Sequence, residues 1–400
     1  MKFSIRNIAL ALGFFSISIF ASAFSTLLGG DSIRAGLSLS MVIFFVLAMP
    51  FGIRYFITSK IIFINVSLLL LVLIFNFYST IIFSGVDNIR FGLSLALLFV
   101  MSFAALSFVT TLDFLGDKFF HKMIIFGFYF LLCLGYIVLL RMVFFEHEGR
   151  NMFLFAEPSH YAIAFIPFLF YAAYTSNKKP CAVLYIIAAM TLALIIQNLT
   201  LLIGCLMIVF LLYGGRFWLL VLTTSILIVA AFFLNLEYFS GRIDISEDSQ
   251  NLSTLVFLSG WERSYLSFIA SYGFGVGFQQ LGIVGPEGDL QIILQDLMGG
   301  SSLNDKDGGS LGSKLIAETG LLGLMLLLFY LHFAIKVVRK FLLREINGSK
   351  NIFFFGVYLL FSIELFIRGM GYFSLTSFLF ISSFYWIYRS RIQAAQHSTG

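Results

Sequence analysis

Hydrophobic runs of membrane-crossing length follow one another along almost the whole chain, and one long polar stretch, from Glu237 to Lys306, interrupts them. A run of ~20 apolar residues satisfies its own backbone polar groups in hydrocarbon only as a helix, so this pattern prescribes a helical bundle in a bilayer. Twelve spans are expected, at 7–29, 37–56, 61–83, 91–112, 123–140, 159–175, 181–196, 199–213, 217–236, 311–337, 352–373 and 375–389. The seventh and eighth share a tight turn at Gln197-Asn198. With 60% hydrophobic and 11% charged residues and a mean hydropathy of +0.98, an ordinary soluble domain is excluded. The fold class is therefore all-α and polytopic: spans over 1–236 with an outer loop at 141–158, a large loop over 237–310, three more spans over 311–390, and a tail at 391–400.

The net charge of +5 is a matter of topology rather than of nucleic-acid recognition. With a cytoplasmic N-terminus, 16 lysines and arginines fall inside with only Asp113, Asp117 and Glu345, while nine bases and 17 acids fall outside or in the outer half-membrane. Both termini are then cytoplasmic and the large loop faces out. Lys2 and Arg6 followed by an apolar run and Ala21-Ser22-Ala23 also fit a cleavable signal, but a chain with many later spans needs none, and an uncleaved first span is preferred. Cys133, Cys181 and Cys205 lie in or beside apolar spans without metal-like spacing, so neither a disulfide framework nor a metal site is expected.

Within the large loop, Ser259 and Glu262 have the S-x-x-E spacing of a capping box and Gly273 the place of a C-terminal glycine. A short helix over about 260–272 is expected. Trp261, Tyr265, Phe268 and Tyr272 would form one aromatic face suited to a headgroup layer, with Arg263, Ser267 and Ala270 on the other. Ten acids against three bases make the loop acidic, so an anion bound there must meet individually placed arginines. Ionisable residues in spans mark cavities or partners. Here Lys314, Glu318, Glu364 and Arg368 fall on the same outer side as Arg141, Arg150, Glu157 and His160. A transporter needs a polar path reaching both sides, so this one-sidedness favours an enzyme. Glycosyl transfer from a lipid-linked pyrophosphate sugar fits, with arginines to receive the departing charge and a carboxylate or histidine to take a proton.

Four segments in order, 155–162 (FAEPSHYA), Trp261-Glu262-Arg263 leading into Gly275-Val276-Gly277, 307–323 (DGGS before ETGLLG) and 367–372 (IRGMGY), resemble those of the O-antigen polymerase and ligase superfamily. The resemblance implies a GT-C-like bundle in the bacterial inner membrane and a periplasmic site. It further implies metal- and cofactor-independent glycosyl transfer using undecaprenyl-pyrophosphate-linked oligosaccharide and polysaccharide. Ligases of that superfamily typically place a histidine before the Glu-x-Gly-x-x-Gly span. This chain has Asp307-Gly308-Gly309-Ser310 there, and His121, His147, His160, His332 and His397 lie elsewhere, so polymerase is preferred to ligase. A flippase is the rival of a different class. A chain-length regulator protein is a candidate partner, besides membrane lipid, and nucleic acid is not one.

On this reading Arg263, Glu157 and Asp307 carry the catalysis. Arg368, His160, Arg150, Arg242, Glu318, Tyr372, Gly275 and Gly277 contact substrate. Plainer readings stand beside these. Arg263 can pair with a loop acid, Glu157 can cap the helix beginning at Pro158, and Glu364 and Arg368 at i, i+4 can neutralise one another. Arg150 and Arg242 can snorkel at the interface, and the glycines can be turns rather than a phosphate nest.

Overall fold

A computed structural model describes residues 4–28, 33–51, 59–145, 152–176, 178–214, 251–300 and 305–398. Among them the chain is all-helical, with no strand beyond the isolated bridges Met152 to Phe155 and Leu281 to Val284. The α-helices are α1 (Ile5–Ser18), α2 (Ala21–Leu27), α3 (Ile33–Ala48), α4 (Ser59–Ile82), α5 (Asn88–Leu112), α6 (Asp117–Phe145), α7 (Pro158–Thr175), α8 (Lys179–Ile195) and α9 (Leu199–Tyr213). After the polar interruption come α10 (Leu252–Ala270), α11 (Asp289–Leu297), α12 (Leu311–Leu342), α13 (Ser349–Leu360), α14 (Ser362–Phe366) and α15 (Leu375–Ser398).

Helix α7 is the axis. Every residue from Tyr161 to Ala173 is buried, as expected of a helix that is apolar all round, and α6, α8, α9 and α13 pack against it. Asn198, which caps α9 by accepting from the Leu201 amide, also donates its side-chain amide to the Pro158 carbonyl at 2.6 Å. The α8–α9 hairpin is thereby tied to the start of α7, and its turn places Gln197 in the left-handed region at φ 58°.

Among the described residues six helical stretches are long and apolar enough to cross a membrane: Arg34–Phe51, Asn65–Ile82, Asn88–Leu112, Asp117–Met142, Leu311–Leu342 and Ser349–Phe366. Ile5–Ser18, Lys179–Ile195 and Leu199–Tyr213 are shorter apolar helices. The expected first span is two helices, because the Ile19 and Phe20 amides both turn back to the Phe15 carbonyl and end α1. The expected eleventh span stops at Phe366 rather than 373. The Ile367 and Arg368 amides both close on the Ile363 carbonyl, and the Gly369 amide leaves the helix for the Gly309 carbonyl. The chain over 391–398, expected as a tail, continues α15. The expected ninth span, 217–236, lies outside the described residues.

Helix α12, about 48 Å long at 1.5 Å per residue, is broken once, at Gly320 (φ 54°, ψ −125°). A β-carbon there would lie 2.0 Å from the Gly273 carbonyl oxygen. Both the left-handed backbone and the close approach demand glycine. Gly320→Ala is predicted to cost about 3 kcal/mol or more, read as a clear fall in melting temperature of the purified protein; unchanged melting would contradict the packing.

Candidate functional site

The helix expected over about 260–272 begins earlier, at Leu252. Asn251 is the better cap, accepting from the Ser253 and Thr254 amides. Ser259 and Glu262 are therefore mid-helix and make no capping box. Instead Ser259 Oγ donates to Gln291 Oε1 at 2.8 Å, and Glu262 accepts from the Asp289 and Leu290 amides, capping α11 from outside. The helix closes in a Schellman motif: Gly273 N–H donates to the Phe268 carbonyl and Tyr272 N–H to the Ile269 carbonyl. Two faces result, as the sequence indicates, except that Ala270, expected beside Arg263 and Ser267, is exposed in the last turn. Tyr265, Ile269 and Tyr272 are exposed, with Trp261 and Phe268 half-buried, while Ser259, Gly260, Arg263, Ser264 and Ser267 are buried toward α12.

The glycine-rich segment that follows docks on the break in α12. Val276 N–H donates to the Ala317 carbonyl, Gly277 N–H to the Glu318 carbonyl, and Leu321 N–H to the Gly273 carbonyl. Gly275 N–H donates to Ser271 Oγ. At Gly275 a β-carbon would lie 2.5 Å from the Glu318 carbonyl carbon, and at Gly277 2.8 Å from Asn76 Oδ1. These glycines serve backbone approach, and with their amides engaged inside the protein they form no phosphate nest.

Around the docked segment lies a buried charge network. Glu318, with no solvent exposure, accepts from the Gln279 amide at 2.9 Å and the Leu281 amide at 3.3 Å, and lies 3.9 Å from Lys314 Nζ. Lys314, equally buried, donates to the Lys306 carbonyl, lies 3.7 Å from Asp307 Oδ1 and sits over the Tyr372 ring. Burial, then the Glu318 charge, push the Tyr372 phenol well above its usual pKa. Arg263 donates from Nη1 to the Asp305 carbonyl at 2.7 Å. Burial lowers its pKa, while Asp305, Glu287, Glu318 and Glu262 pull the other way. Arg263 thus holds the 305–309 strap that α10 grips from beneath, where Gly260 leaves no room for a side chain against the Gly308 carbonyl. Asp307, 52% exposed, is the carboxylate of this network that reaches solvent.

Glu157 and Arg368 complete the site. They form an ion pair at 2.7 Å, and Ser159 Oγ donates to the same carboxylate. The Glu157 side chain makes no capping bond to α7, so the capping explanation for its position falls away. The i, i+4 pairing of Glu364 with Arg368 does not form either. Glu364 turns inward and accepts from the Met370 amide and from the Ser374 and Thr376 hydroxyls. His160, with Nδ1 buried and unpartnered, lies within electrostatic reach of Glu157, Arg368 and Asp307.

Arg263, Asp307, Glu318 and Tyr372 therefore come together, with Glu157, His160 and Arg368 beside them. Arg150 and Arg242 lie outside the described residues. Site residues not singled out from the sequence are Gln279, Arg34 and Arg90, while Lys314, read there only as an ionisable group on the outer side, stands at the centre of the network. Arg34 donates to Gln279 Oε1 at 2.7 Å and Arg90 to the same atom at 3.5 Å. The signal was present: both arginines stand at the start of apolar spans, on the side assigned to the large loop. Among the described residues no group of three or more His, Cys, Asp or Glu is placed to hold a metal ion. In comparisons with family models, curated proteins and solved structures, nothing matches the chain.

Burial, the largest influence on Glu157, raises its pKa, but Arg368, His160 and Ser159 outweigh it and the carboxyl ends below its usual value. A carboxyl depressed in the folded state stabilises at neutral pH and loses that contribution as pH falls through the folded value. Wild type is predicted to melt above Glu157→Gln near neutrality, with the gap closing on acidification. A gap independent of pH would show that the charge of the pair is immaterial.

Proposed function

We propose that the protein is a membrane glycosyltransferase of the polysaccharide-polymerase kind. It moves a growing polysaccharide from one undecaprenyl pyrophosphate to the non-reducing end of another lipid-linked repeat unit. The observation that carries this reading is the packing of a solvent-reaching carboxylate, Asp307, against a buried Lys314–Glu318 pair, with the Glu157–Arg368 pair alongside, at one end of an apolar helical bundle. The opposite end holds a different set, including Arg389 with Asp113 and Arg344 over Tyr174. A one-sided cluster suits chemistry on a substrate presented at one leaflet better than it suits a path across both.

In the reaction, the acceptor hydroxyl oxygen forms a bond to the anomeric carbon of the donor. The bond from that carbon to the pyrophosphate oxygen breaks, and the leaving group departs with the electron pair. The hydroxyl proton passes to Asp307, whose exposure lets it meet an acceptor and whose charge Lys314 keeps in place. Arg368, oriented by Glu157, lends positive charge at the mouth of the site. Arg263 acts at one remove, by holding the strap that carries Asp307.

Deleting the protein from its bacterium is predicted to leave surface lipopolysaccharide capped by a single repeat unit. A surviving ladder of lengths ends the polymerase reading, lipid-linked polymer that never reaches lipid A core points to the ligase, and units trapped on the cytoplasmic leaflet point to a flippase. With purified protein and defined lipid-linked repeats, Asp307→Asn is predicted to slow elongation about a hundredfold or more, the scale of a lost general base, with melting unchanged. An undiminished rate removes Asp307 from the mechanism.

A further inference from the structure

Gln279 is an unusual residue. It is buried, it holds the left-handed backbone region at φ 62° without being glycine, and its amide donates to Glu318. Such strain persists where surrounding structure imposes it, and it gathers at binding and catalytic sites. What the strain accomplishes here is to aim one neutral oxygen, Gln279 Oε1, at two guanidinium groups arriving from different helices. Arg34 comes from the start of α3 and Arg90 from the start of α5.

Two guanidiniums sharing one uncharged acceptor repel each other. Among the described residues neither has a carboxylate within ion-pairing distance, and Arg90 Nε is buried without a hydrogen-bond partner. Elsewhere at this end of the molecule Glu157 pairs with Arg368, and Asp307 and Glu318 lie against Lys314, while Arg263 is held by the Asp305 carbonyl. The pair is only half-buried, so a ligand can reach it. Arg34 also lies over the Phe373 ring, 5.5 Å from its centroid, which places the pair beside Tyr372 and the Lys314 ammonium. A planar, forked cation offers parallel N–H donors that match phosphate oxygens, and two such forks match the spread-out charge of a diphosphate.

We propose that Arg34, Arg90 and Gln279 form the diphosphate cradle of the protein, with Gln279 holding the two arginines in register while the site is empty. The ligand class is a polyprenyl diphosphate. That identity rests on the glycosyl-transfer reading, whereas the anion site rests on the two arginines and their shared acceptor.

The test uses the full-length protein in phosphatidylcholine nanodiscs, titrated with farnesyl pyrophosphate and competed with inorganic pyrophosphate. Binding is expected to weaken about tenfold or more for Arg34→Gln and for Arg90→Gln, the scale of one charge-assisted hydrogen bond. Arg34→Lys and Arg90→Lys, which keep the charge but lose the fork, should also bind more weakly while melting like wild type. Arg391→Gln, at the opposite end, should bind as wild type does. Undetectable binding by wild type, or equal affinity in wild type and the Arg34→Gln/Arg90→Gln double variant, overturns the cradle. So does displacement of the probe by phosphatidylglycerol as readily as by inorganic pyrophosphate, since the site would then be one for lipid headgroups at large. Arginine-dependent binding without any elongation keeps the cradle and removes the glycosyl-transfer reading. Elongation that survives Arg34→Gln and Arg90→Gln unchanged keeps that reading and removes the cradle.

Discussion

A carboxylate with no access to water must be given its hydrogen bonds by the protein, and Glu318 is such a group. It takes two backbone amides from the 279–281 segment and a neighbouring ammonium from one turn earlier on its own helix. Each of these partners fixes something else. The amides bring the loop after α10 down onto α12, and Lys314 anchors the strap at Lys306 and Asp307. The same docking needs the α12 backbone opened, which Gly320 provides. Removing one partner of a buried ion pair costs on the order of 3–5 kcal/mol in general. Fold and site are thus secured by one interaction at the point where a long apolar helix meets the polar interruption.

From this node the charges spread outward in order of exposure. Lys314 and Glu318 are sealed, Arg263 is covered by the strap it holds, and Asp307 and the Glu157–Arg368 pair reach solvent. That gradient separates residues that shape the site from residues able to meet a ligand. It assigns Arg263 to the first group, although its place in the loop reads from sequence as a direct anion contact.

Much of this was legible in the chain. Apolar run lengths give the long helices, and the 155–162, 261–277, 307–323 and 367–372 segments, singled out in the sequence, lie together in the fold. What failed did so for non-local reasons. Ser259 and Glu262 have capping-box spacing, but their partners, Gln291 and the α11 amides, lie about thirty residues ahead. Glu364 and Arg368 have ion-pair spacing, but each finds a better partner across the fold, in Ser374 and Thr376 and in Glu157. A charge census of the large loop alone reads acidic, yet the cations that complete the site come from the bundle, from Arg34, Arg90, Lys314 and Arg368. Local periodicity sees an element's own face; it does not see which distant group will fill it.

The account stands on the reactive side chains sharing one face of the membrane. The most direct measurement is cysteine accessibility in a background with Cys133, Cys181 and Cys205 replaced, using a membrane-impermeant maleimide on intact spheroplasts. Cysteines replacing Glu157, Asp307 and Asp87, which caps the start of α5 by accepting from the Arg90 amide, are predicted to label from the outside without permeabilisation, while one at Glu345 labels only after the membrane is opened. If any of the first three shares the protection of Glu345, the single-mouthed site does not exist and the account is wrong.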